Sequence, residues 1–157
     1  MITPFELNAL LVPVDFSPVS EAILDQAVRL LSGDEPLIFV LHVVDPSLAD
    51  FAAMHGLGSR EDVLKQMHAH AEGKLARLKA RIPADIDVQE IISEGVPFVE
   101  IIRKAVDFQV GAIVMGKIGA RGTIEKLLFG STAERVLRGS TRPVLVIPVE
   151  TTVAQSD

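Results

Sequence analysis

Leu37 to Val44, LIFVLHVV, is apolar at every position but His42. A run this short and this apolar has no polar face to offer water. It reads as a strand covered on both sides, the situation of a strand in a parallel sheet. The mean hydropathy of the chain, +0.37, is high. No apolar run approaches the roughly 18 residues of a membrane span, so the hydropathy belongs to buried strands.

Around that run the chain alternates. Met1 to Asn8 has no period and reads as a short arm. Ala9-Leu10-Leu11-Val12 starts a first strand that runs through Pro13-Val14 to Asp15. Proline cannot donate to a ladder, so Pro13 fits where the strand leaves the sheet. Ser17 and Pro18 then supply an N-cap and a first helical residue, and Leu24, Ala27, Val28 and Leu31 form an apolar face until Ser32-Gly33-Asp34. After the second strand, Asp45-Pro46 opens a loop-like stretch from Ser47 to Gly58. Ser59, with Asp62 three residues on, starts a helix lined by Leu64, Met67, Ala71, Leu75, Leu78 and Ile82 and ended by Pro83. Val88 to Ile92 is a short strand. Pro97 opens a helix with Phe98, Ile101, Ile102 and Ala105 inward. Ala112 to Met115 is a fourth strand, and Val144 to Val149, with Pro148 suited to a sheet edge, is a fifth.

Five strands alternating with four helical regions predict an α/β fold, a doubly wound parallel sheet with right-handed crossovers. Its 157 residues and 48% apolar content suit one domain, residues 1–150, with 151–157 a frayed tail. Ligands of such sheets sit beyond the carboxyl ends of the strands where the winding reverses. Asp15 and Gly116 fall there if the first and fourth strands are neighbours.

The segment from Met115 to Ala133, MGKIGARGTIEKLLFGSTA, carries the strongest functional signal. Gly116, Gly119 and Gly122 fall three apart, and Gly130-Ser131 closes the stretch. Residues without Cβ let backbone N–H groups approach a bound anion, and a helix start adds to the effect. Ser131-Thr132-Ala133-Glu134 reads as a capping box in which the Ser131 oxygen takes the N–H of Glu134, leaving Thr132 and Ala133 to a phosphate oxygen. The helix then closes on Arg138 and a C′ glycine, Gly139. Lys117, Arg121 and Lys126 either supply cations to phosphates or are simply solvated. An ordinary glycine-punctuated loop remains the alternative. Asp15 has two readings as well, as a local cap of the following helix or as an acceptor for adenine or ribose groups. A carboxylate repels phosphate, which would place it at the nucleoside end.

Other classes are disfavoured. Net charge −6 and a pI near 5.2 argue against nucleic acid or an acidic membrane as the main partner. With no cysteine there is no disulfide framework and no thiolate chemistry. The N-terminus has no secretory pattern, so the cytoplasm is the expected location. Gly111 to Lys117 imitates the start of a Walker A loop, but Ile118 has no hydroxyl for Mg²⁺ and the intervening residues are strand-like. No G-x-G-x-x-G occurs. His68 and His70, two apart on a helix, point to different faces and do not suggest a metal pair. His42 suits a hydrogen-bonded core position, and nothing selects His55.

The stretches LLVPVDFSPVSEAIL, LHVVDP and IVMGKIGARGTIEKLLFGSTAERVLRGSTRPVLVIPV resemble the universal stress protein family, from Ala9 to Val149. The resemblance implies a three-layer, five-stranded sheet of order 3-2-1-4-5, similar to adenine nucleotide α-hydrolase-like folds, and a homodimer formed through Val144 to Val149. It also implies that Asp15 and the Val43 backbone hold adenine and ribose, that Pro13 and Val14 line the base pocket, and that Gly116, Gly119, Gly130, Ser131 and Thr132 hold ribose and phosphates. Met115, Lys117, Arg121 and Gly122 join the candidate set from the same segment. The ATP-binding members resemble a pattern of Gly, two residues, Gly, nine residues, Gly and Ser/Thr; here ten residues, Ala120 to Phe129, stand in the longer gap.

The leading expectation is a dimeric ATP-binding stress or signalling module, with Mg²⁺ accompanying ATP and no catalytic residues. A non-nucleotide interaction module of the same fold is a second reading. An ATP-cleaving enzyme is a third, disfavoured because Pro13-Val14-Asp15-Phe16-Ser17 stands where pyrophosphatase-like relatives carry Ser-Gly-Gly-x-Asp-Ser, and no general base is evident.

Overall fold

Strand β1 (Ala9–Pro13) lies at the centre of a five-stranded sheet of order β3-β2-β1-β4-β5, with every neighbouring pair parallel. The computed structural model describes residues 2, 4–117 and 130–149. In chain order the other elements are α1 (Pro18–Leu30), β2 (Leu37–Val44), α2 (Ser47–Met54), α3 (Arg60–Ala80), β3 (Asp87–Glu94), α4 (Pro97–Asp107), β4 (Ala112–Gly116), α5 (Ser131–Gly139) and β5 (Val144–Ile147). The order 3-2-1-4-5 and the three layers are those expected.

The sheet is covered on both faces, as LIFVLHVV demands. Leu10, Val12, Val14, Ile38 and Val40 pack against Ile23, Leu24 and Ala27 of α1 and Leu75 and Leu78 of α3. The alternate residues Leu11, Phe39, Leu41, Ile113 and Met115 pack against Ile101 and Ala105 of α4 and Ala133 and Val136 of α5 on the other face. Each Val, Leu, Ile, Phe or Met side chain buried this way contributes about 1.5–3 kcal/mol.

The caps read from the sequence start two helices. The Ser17 side chain accepts the Ser20 N–H ahead of Pro18, and the Ser59 side chain accepts the Asp62 N–H. The expected loop from Ser47 to Gly58 is instead largely α2. Its Leu48, Phe51 and Met54 are exposed and only Ala49 and Ala52 are buried, so its apolar spacing does not mark the face that packs. Gly139 is not a C′ glycine either. It lies inside α5, and a Cβ there would come within 2.7 Å of Ile102 Cδ1 on α4. Glycine here marks a close helix contact, which a larger residue would meet by shifting the end of the Ile102 side chain, rather than a left-handed turn. Gly111 has a similar role: a Cβ would lie 1.6 Å from the Glu6 carbonyl oxygen, so the N-terminal arm crosses where a side chain would stand.

Candidate functional site

The sheet parts between β1 and β4. These strands pair only at Leu10 with Ala112 and Leu11 with Ile113, whereas β1 stays paired with β2 as far as Pro13 with Leu41. The backbone directions explain the split. Val14 donates its N–H to Leu41 on the β2 side. By alternation along the strand, the position of the missing Pro13 N–H faces β4, where a ladder would need a donor. On β4, Ile113 and Lys117 donate to Pro143 and Ile147 on the β5 side. Gly116 therefore turns its N–H toward β1 and into the gap. A topological switch point is where such a gap is expected.

The gap opens into a cleft of about 770 Å³. Of the thirteen residues selected from the sequence, Pro13, Val14, Asp15, Val43, Met115, Gly116, Lys117, Gly130, Ser131 and Thr132 line it. Gly119, Arg121 and Gly122 lie outside the described residues, as does Lys126. The Walker-like run is strand β4, not a loop.

One wall of the cleft is the start of α5, and here the structure corrects the expected capping box. Gly130, extended at φ −61° and ψ 153°, is the N-cap, and Ser131 is already helical. Glu134 donates its N–H to the Gly130 carbonyl at 3.0 Å, so the Ser131 side chain has no capping role. Among the described residues no side chain caps this helix. The N–H groups of Ser131, Thr132 and Ala133 thus lie beyond the intrahelical ladder at the positive end of the macrodipole. The Gly130 N–H itself donates to the Lys117 carbonyl at 2.8 Å.

The opposite wall is the turn from β1 into α1. Asp15 Oδ1 accepts from the Ser17 N–H at 3.1 Å and from the Ser17 and Ser20 hydroxyls, each at 2.6 Å. The Asp15 N–H donates to Ser20 Oγ at 2.9 Å. The local reading of Asp15 is thus realised through Oδ1, while the residue stays exposed at the cleft. Between Asp15 and Ser17, Phe16 adopts φ 64°, an uncommon value for a bulky residue. Its ring packs on His42 at a 30° tilt, with centroids 4.3 Å apart.

His42 is hydrogen-bonded as expected, with Nδ1 2.9 Å from the Val14 carbonyl oxygen. A carbonyl only accepts, so Nδ1 carries the proton. Burial pushes the ring below its ordinary pKa of 6.5, against the opposing pull of that hydrogen bond and of Asp15. The residue also lines the cleft, a role its strand position did not reveal. His68 Nε2 is 3.4 Å from Glu94 Oε2, and His70 meets Phe16 edge-on. His55 packs against Phe51 of α2 with the rings tilted 43° to one another.

Sequence reasoning missed a third wall: Val96, Pro97, Phe98 and Ile101 from the start of α4, and Arg135 from α5. The available signal was topological. With order 3-2-1-4-5, the connection from β3 to β4 has to pass over β2 and β1, which lays α4 across the cleft face. The Arg135 guanidinium carbon lies 5.2 Å from the centre of the Phe98 ring.

A model of the universal stress protein family matches residues 7–148. Universal stress protein MJ0531 of Methanocaldococcus jannaschii is 30% identical over 139 residues, covering 88% of this chain and 80% of that relative. The solved structure of protein MJ0577 from the same organism superposes with a TM-score of 0.81 at 26% identity, covering 93% of this chain and 99% of that one. The universal stress protein from Archaeoglobus fulgidus in complex with dAMP shares the fold, with a TM-score of 0.57 at 21% identity over 88% of this chain and 96% of that one. On the family match across almost its whole length, the chain belongs to the universal stress protein family.

Proposed function

We propose that the cleft binds an adenine nucleotide, ATP with its Mg²⁺, and that occupancy stabilises one conformation of a homodimeric stress or signalling module. The observation that carries this reading is convergence. The Gly116 N–H, turned into the gap beside Pro13, and the first-turn N–H groups of uncapped α5 open on the same cleft. Backbone amides at a helix start suit phosphate without needing net positive charge, which accords with a chain of charge −6. Val14, Val43 and Met115 offer apolar surface for a base. Asp15, across the cleft from α5, is an acceptor for amino or hydroxyl groups. The dAMP complex of the Archaeoglobus fulgidus relative favours the same ligand class.

Among the described residues no group of three His, Asp or Glu side chains converges as a metal site. Mg²⁺ would therefore travel with ATP, held mainly by the phosphates and water, as is usual for this ion. The dimer would form through β5, an edge strand in which Leu145 is 41% exposed, because pairing covers unsatisfied backbone groups. The test is to purify the protein, denature it and separate any released nucleotide by chromatography, with equilibrium dialysis against labelled ATP for protein that emerges empty. Release or uptake of an adenine nucleotide is the expected result. Protein that carries none and takes up none at millimolar ATP contradicts the proposal.

A further inference from the structure

Arg135 stands four residues after Ser131, so the two share one face of α5, and helical side chains lean back toward the N-terminus. The guanidinium consequently extends over the turn whose N–H groups open on the cleft. It is held there by Phe98, from the first turn of α4, at 5.2 Å from the ring centre, and both residues line the cleft. Among the described residues no carboxylate lies within ion-pair distance of Arg135. The neighbouring Glu134 is engaged with Arg138 at 2.7 Å. A guanidinium that lies beside a ring still has N–H donors to offer, and its planar fork matches the paired oxygens of a phosphate. Its position also has a direction. α4 and α5 cover the sheet face opposite α1, so Arg135 is across the cleft from Asp15 and Val14, on the side where Val43 and Met115 pack.

Resting on the nucleotide reading above, we propose that Arg135, positioned by Phe98, binds the terminal phosphates and so sets a preference for ATP and ADP over AMP. The α5 amides take the phosphate nearest the ribose, which all three nucleotides share. The guanidinium reaches oxygens that only the longer chains possess. Phe98 acts as a positioning residue, since it touches the guanidinium and not the phosphate.

The experiment is calorimetric titration of wild type, Arg135→Gln and Phe98→Leu with AMP, ADP and ATP at low salt. Wild type is expected to bind ATP and ADP more tightly than AMP. Arg135→Gln should lose about tenfold in ATP and ADP affinity, the scale of one charge-assisted hydrogen-bonded contact, with AMP affinity changed less than about twofold. Phe98→Leu should lose less, in the same pattern. Equal losses for all three nucleotides, or no loss in Arg135→Gln, would overturn the assignment while leaving a nucleotide site in place. Absence of binding by wild type would remove both readings together. Arg135 is exposed, so its variant is expected to fold, and circular dichroism checks that.

Discussion

The Gly130 N–H donates to the Lys117 carbonyl at 2.8 Å, so the chain leaves β4 and enters α5 at nearly one point. Lys117 and Gly130 are thus held directly to one another. The same bond holds the start of α5 beside Gly116.

Gly130 offers a test that separates folding from binding. Its φ of −61° is open to any residue, so the backbone does not demand glycine. Gly130→Asp would add a capping carboxylate beside the positive end of α5, raising the stability of nucleotide-free protein by about 0.5–1 kcal/mol, or about 2–3 °C in melting temperature. The same carboxylate would occupy the amides offered to phosphate and repel it. Differential scanning fluorimetry should show a higher melting temperature without ATP and no further rise with it. A variant that still responds to ATP like wild type contradicts the assigned phosphate site.

Ser20 is the support of the opposite wall. Its buried hydroxyl both accepts from the Asp15 N–H and donates to Asp15 Oδ1. Ser20→Ala removes both hydrogen bonds to Asp15, at about 1 kcal/mol, and urea denaturation should shift its midpoint down accordingly. A shift below about 0.5 kcal/mol would mean that the turn is held by other groups.

His42 predicts a pH dependence with a definite sign. Burial lowers its folded pKa from 6.5, so as pH falls through 6.5 the unfolded chain gains a proton that the folded chain resists. Stability is lost from pH 6.5 downward, until the folded ring also protonates, and is unaffected by this group well above that pH. Asp15, His68 and His70 act on the ring as well, Asp15 favouring protonation and the two histidines opposing it. His42→Asn, whose amide can keep a donor toward Val14, should flatten the difference in melting temperature between pH 7.5 and 5.5. Parallel curves for the two proteins would refute this account.

The β5 edge carries the dimer prediction. Leu145→Lys places a charge on the exposed edge strand and should convert a sedimenting dimer to monomer, with little change in helix and sheet content by circular dichroism. A wild type that sediments as a monomer rules out the proposed association.

What the sequence disclosed depended on how local each signal was. Ser17 and Ser59 act through hydrogen bonds three residues away, and both caps were legible. The three inner strands, β1, β2 and β4, were legible because burial on two faces leaves no alternation to misread. At α5 the cap signal was displaced by one residue. Ser131 with Glu134 satisfies the pattern, but an extended Gly130 starts the helix first. α2 escaped notice because its larger apolar side chains face outward. Gly139 and the wall formed by Phe98 and Arg135 depend on how α4 crosses the sheet, which no local spacing encodes. The strand order came from family resemblance, since alternation alone leaves several windings open.

The passage of Glu6 over Gly111 makes the N-terminal arm and residue 111 a matched pair. A chimera that places this arm on a sheet bearing any side chain at that position would have to peel the arm away, uncovering Leu7, which packs against the α1 and α3 side of the core. Exchanging the opening residues among proteins of this architecture therefore requires exchanging the residue ahead of the fourth strand as well.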